Sequence, residues 1–245
     1  MLNSNNVTLK VKRTGNIYIL NNNYYCPSEV FLNGNSIGRG NMDNCHITTI
    51  RDLNTEIKLV WDNIYSSTSY MFSGCSDITK IDMTNFNTSL VTNMNDMFAY
   101  CTSLNSLIVS NFDTSKVRSF ERMFYQCESL TSINLESFTN PSATTLEYMF
   151  YDCKNLEYIN IKNFDEKKNL DLNYMFYNIP PNAVICLSSC PPPKNIFISE
   201  IDIIKIEATI SWEGYEWNKF IISYGLQNFA NPENGNKIYV TDARN

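Results

Sequence analysis

The chain has 245 residues, a net charge of −6 and 18% charged side chains, with no cluster of Lys and Arg. That balance excludes nucleic acid as a partner, because neutralising phosphates takes a concentrated basic patch. No apolar run reaches the roughly 18 residues of a membrane-spanning helix, and the length suits one or two domains.

In chain order, residues 1–50 predict a β-rich N-terminal cap. Val7, Leu9 and Val11 alternate, Arg13 to Asn16 supplies a turn, and Ile17 and Ile19 resume the alternation, which is a hairpin pattern. A further strand, Glu29 to Leu32, ends at Asn33-Gly34. Gly34, Gly38 and Gly40 form a loop with no GK[ST] behind it, so it is not a phosphate cradle. His46 beside Cys45 offers two ligands where a structural metal wants four. No metal and no cofactor is expected.

The dominant signal is a 26-residue period. Met71-Phe72, Met97-Phe98, Met123-Phe124, Met149-Phe150 and Met175-Phe176 stand 26 apart. Cys75, Cys101, Cys127 and Cys153 follow four places after each of the first four methionines, and Phe86, Phe112, Phe138 and Phe164 fifteen places after. Between them runs LxxIxL, as in Leu104, Leu107 and Val109, whose alternation predicts one short strand per period. A connection of this length is too long for a hairpin, so successive strands are expected to lie parallel as turns of a solenoid. Ile57 to Trp61 reads as the strand of an irregular preceding turn, and Ile185 with Leu187 as that of a degraded last one.

The motif MFxxCxxLxxIxLxxF followed by Val-x-x-Met, carried by MFSGCSDITKIDMTNFNTSLVTNM and MFAYCTSLNSLIVSNFDTSKVRSF, resembles the BspA-like leucine-rich repeats of bacterial and protist surface proteins. The resemblance covers about residues 50 to 190. It implies a leucine-rich-repeat solenoid of parallel strands, one per 26-residue coil, and attachment to host cells or extracellular matrix proteins. Phe stands where commoner leucine-rich repeats carry a buried Asn, so no regular asparagine ladder is expected.

The four columnar cysteines are expected to be buried thiols, because stacked neighbours at about 4.8 Å meet poor disulfide geometry. Cys26, Cys45, Cys186 and Cys190 have no assigned state. Pro191-Pro192-Pro193 marks a boundary, giving a cap at 1–50, a solenoid at 51–190 and a small β segment at 191–245. That segment resembles the opening half of a fibronectin type III domain, with Trp212 and Tyr224 in its second and third strands. Only 52 residues follow Pro193, which points to a piece of a longer chain.

No catalytic set can be assembled from one His and scattered carboxylates, so no enzymatic activity is expected. A protein-binding surface is expected instead, in two places. Strand positions pointing outward include Lys80, Asp82, Ile108, Asn134, Tyr158 and Asn160. Six strands at about 4.8 Å, each about 10 Å long, give roughly 240 Å², small against the roughly 800 Å² per partner of a standard interface. Tyr100, Tyr125, Tyr148, Tyr151, Tyr174 and Tyr177 recur beside Met-Phe and form the second surface; if that segment is a helical turn, Tyr148 and Tyr151 share a face, as do Tyr174 and Tyr177.

A cell-surface location follows from the resemblance alone. The first residues show no apolar leader, which leaves a cytoplasmic scaffold as the alternative, beside a structural spacer. The sequons Asn6-Val7-Thr8 and Asn87-Thr88-Ser89 carry little weight in a chain this rich in Asn, Ser and Thr.

Overall fold

The computed structural model describes residues 5–22, 24–38, 46–165 and 170–186. The proline boundary and the fibronectin-like segment lie outside them. Among the described residues there is no helix, and eleven short strands form three sheets. They are β1 (Asn5–Val11), β2 (Gly15–Tyr18), β3 (Glu29–Leu32), β4 (Asn35–Ser36), β5 (Ile47–Ile50), β6 (Ile57–Trp61), β7 (Ile78–Asp82), β8 (Ser106–Ile108), β9 (Ser132–Asn134), β10 (Tyr158–Asn160) and β11 (Val184–Cys186).

This corrects the expected leucine-rich-repeat solenoid with its single stack of parallel strands. The largest sheet is mixed, in the order β4-β3-β6-β1-β7-β8. β1 lies antiparallel to both β6 and β7, so the expected preceding turn at β6 does not stack on β7. The reason is visible in β1 itself: Val7, Leu9 and Val11 are buried on one face, and the slot between β6 and β7 satisfies hydrogen bonds along both edges. The expected hairpin between β1 and β2 is lost for the same reason, and β2 pairs with β5 instead. The β3–β4 hairpin does form, turning through Asn33 at φ 49° and Gly34 at φ 78°, the left-handed pair of a tight hairpin turn.

A second interruption separates β8 from β9. β7 and β8 pair in parallel, and so do β9, β10 and β11, but the two groups belong to different sheets. Asn134 and Asn160 show what differs. Each folds its side-chain carbonyl back onto a backbone N–H two residues on, that of Glu136 at 3.0 Å and that of Lys162 at 3.2 Å; Asp82 does the same to Thr84. Ile108 holds this place at the end of β8 and cannot make that turn.

Away from the strands the segments stay side by side. Single parallel bridges link Ser67, Asn93, Ser119, Thr145 and Asp171 in series. Around the first four Met-Phe pairs the backbone donates sideways to a residue about 25 places on, as Phe72 to Met97 and Tyr100 to Tyr125. Helix is thereby excluded, because the N–H groups that would bond four residues back are already used.

The core follows the same rows. Phe72, Phe98, Phe124, Phe150 and Phe176 stack with centroids 5.3–5.8 Å apart and planes within 11°. The cysteine column is buried and unbridged, and the thiols of Cys101, Cys127 and Cys153 donate to the carbonyls of Phe72, Phe98 and Phe124 at 3.0–3.2 Å. Cys26 and Cys186 are each in a disulfide. Where no asparagine ladder was expected, a buried polar row exists at Thr88, Thr114 and Asn140. Thr114 donates to the carbonyl of Thr139 at 2.7 Å and accepts its N–H at 2.8 Å, and Asn140 treats Asp165 the same way.

Candidate functional site

The twelve sequence-predicted residues separate into two groups. The six strand residues form no continuous face. Lys80 lies beside Lys10 of β1, and Asp82, Asn134 and Asn160 are occupied in holding their own turns. Ile108 and Tyr158 are half-buried on different sheets, and Asn160 is buried.

The six tyrosines do come together. Tyr125, Tyr151 and Tyr177 stack with centroids 4.9 and 4.7 Å apart, nearly parallel. Tyr148 and Tyr174 form a second row at 5.2 Å. The rows meet edge to face, Tyr148 on Tyr151 at 5.5 Å and Tyr174 on Tyr177 at 5.9 Å, and Tyr100 leans on Tyr125 at 5.3 Å. These i to i+3 contacts arise in hydrogen-bonded turns and not in a helix, with the Tyr151 N–H donating to the Tyr148 carbonyl. Each inner ring has its faces covered by its neighbours, so the surface offers ring edges.

The turns that carry the rings are strained. The position before each Met holds Tyr70, Asp96, Arg122, Tyr148 and Tyr174, all at φ 54–62°, and three places after Met stand Tyr100, Gln126, Asp152 and Asn178 at φ 56–60°. Only Gly74 meets this requirement with a glycine. A side chain in the left-handed region costs on the order of 1–3 kcal/mol, and such strain clusters where surfaces are functional. Tyr70, which the periodic reading left out, shares the position and is exposed.

Carboxylates border the rings. Arg122 pairs with Glu121 at 3.1 Å and lies over the Tyr148 ring at 5.2 Å. Lys154 pairs with Glu128 at 2.8 Å. Asp96, Glu147, Asp152 and Asp171 have no ion pair of their own among the described residues. Partial burial pushes the Glu147 carboxyl up, and the neighbouring charges of Asp171 and Glu121 add to it. Burial also raises Asp96, opposed by Arg122 and by a hydrogen bond from Tyr70. Asp152 accepts from Asn178 at 2.6 Å and from Gln126 at 3.4 Å, and its charge acts on Tyr125 and Tyr151. Sequence reading missed Arg122, Glu121 and Glu147 because it followed aromatic columns alone, although all three fall in the columns just before Met.

No group of side chains able to hold a metal exists among the described residues, and no helix there is long and apolar enough to cross a membrane. Residues 66–184 match the family model described as a Mycoplasma protein of unknown function, DUF285. The matched segment contains all six tyrosines and β7 to β10, and leaves β1 to β6 outside. No curated protein and no solved structure matches the chain.

Proposed function

We propose that the tyrosine rows form the docking surface of a non-enzymatic, cell-surface recognition or adhesion module whose ligand is a protein presenting Lys or Arg. The observation that carries this is the joining of six tyrosines into one strained, partly exposed surface beside carboxylates of which Asp96, Glu147, Asp152 and Asp171 have no ion pair among the described residues. Rigid aromatic side chains contribute contact area at low entropic cost, and the surplus negative charge selects a cationic partner. Burial of four thiols beside disulfides at Cys26 and Cys186 suits an oxidising, extracellular compartment. The resemblance to BspA-like surface proteins points the same way.

A structural spacer competes, and one observation favours it: the rings cover one another, as they would if they only stiffened the turns. Beads coated with the full chain separate the readings when their attachment to immobilised extracellular matrix proteins is measured. Docking predicts attachment that falls at least tenfold with Tyr125→Ala plus Tyr151→Ala and weakens as salt rises from 0.15 to 0.5 M, with the circular dichroism spectrum unchanged. Equal attachment by the variant, or none by the parent chain, supports the spacer.

A further inference from the structure

The two sequons look alike in the sequence and are opposite in the structure. Asn6 is the second residue of β1, 7% exposed, paired with Val60 of β6 and donating its backbone N–H to the carbonyl of Asn85 at 3.1 Å. A glycan there has no room in the folded sheet. A third Asn-x-Ser, at Asn140, is excluded both by Pro141 and by complete burial of Asn140.

Asn87 is exposed on the corner after β7. Its backbone N–H donates to Asn5 Oδ1 at 2.8 Å, which fixes the corner. Its side-chain Oδ1 accepts the N–H of Ser89 at 2.9 Å. The intervening Thr88 is buried and ties the corner to Asp113. The Asn and Ser of the sequon are thus drawn together in an Asx turn, with Nδ2 left without a hydrogen bond among the described residues. Equivalent corners carry Asp113, Thr139 and Asp165, so only this one presents a carboxamide. Along the chain it is separated from the tyrosine turns by β7 on one side and the Asn93 bridge on the other.

We propose that Asn87 is an N-glycosylation site and that its glycan is carried on a corner apart from the tyrosine surface. The donor class is an oligosaccharide linked through pyrophosphate to a lipid. Nδ2 attacks the anomeric carbon, the new N–C bond forms as the C–O bond to pyrophosphate breaks, the lipid pyrophosphate leaves and Nδ2 gives up one proton.

The test is secretion of the full chain, behind a cleavable leader, from a eukaryotic host with this transferase, followed by peptide mass spectrometry with and without glycosidase. Glycan on the Asn87 peptide, absent in Asn87→Gln and unchanged in Asn6→Gln, is the expected result. A secreted, folded chain with Asn87 unmodified overturns the proposal, as does glycan on Asn6 of folded protein. Ser89→Ala supplies the check on folding: it keeps the backbone N–H of the turn, removes the hydroxyl of the sequon, and is expected to abolish the glycan without changing the melting temperature.

Discussion

Asn160 donates its side-chain amide to Asn134 Oδ1 at 2.9 Å, joining β10 to β9 above the backbone ladder. One period earlier the row meets Ile108, which can neither donate nor accept, and there the sheet is interrupted. Ile108→Asn is therefore expected to extend the row, adding about 1 kcal/mol and slowing amide exchange in β8 and β9. A lower urea midpoint with unchanged exchange would show that the interruption has another cause.

The buried Thr114 serves both backbone groups of Thr139. Thr114→Val keeps the shape and orphans both, so a loss of about 2 kcal/mol is expected. Ser142, exposed and bonded to a single carbonyl, should cost under about 0.5 kcal/mol as Ala. Urea denaturation of the two variants side by side checks the contrast, and equal midpoints would refute it.

Burial pushes the thiols of Cys101 and Cys153 up to about 12, from an ordinary 9.0, and those of Cys75 and Cys127 well above it. The unfolded chain then releases these protons at lower pH than the folded one. Stability is full below the ordinary thiol value and is lost as pH rises through the folded values. Urea midpoints at pH 8 and 10 should differ steeply, and thiol reagents should label the four cysteines only on unfolding. Rapid labelling of native protein at pH 8 would contradict the buried column.

Glu147 separates stability from binding. Its carboxyl is raised by partial burial and by Asp171 and Glu121, so its charged form is disfavoured in the folded state and contributes instability as pH rises through its folded value. Glu147→Gln should leave the melting temperature at pH 7 the same or higher while reducing attachment to a cationic partner. Reduced stability with undiminished attachment would remove the charge argument from the proposed function.

Sequence alone determined the periodic chemistry of this protein. The rows of Met, Phe and Cys could be placed inside because apolar columns at a fixed interval have no other stable destination. The tyrosine columns were legible for the same reason, and β3, β6 and β7 for their alternation. Tertiary structure decided the rest. That β1 enters between β6 and β7 depends on which edges are open when the chain closes, a non-local matter that alternation in residues 7–11 does not encode. That the sheet ends at β8 depends on what the neighbours of Ile108, 26 residues away, are bonding. The left-handed backbone at Tyr100, Tyr148 and Tyr174 has no residue signature, since those positions also hold Asp, Arg, Gln and Asn. At Tyr100 and Tyr148 it goes with sideways hydrogen bonds to the next segment, from their N–H groups to the carbonyls of Tyr125 and Asn173, and the turns set the tyrosine rings against one another.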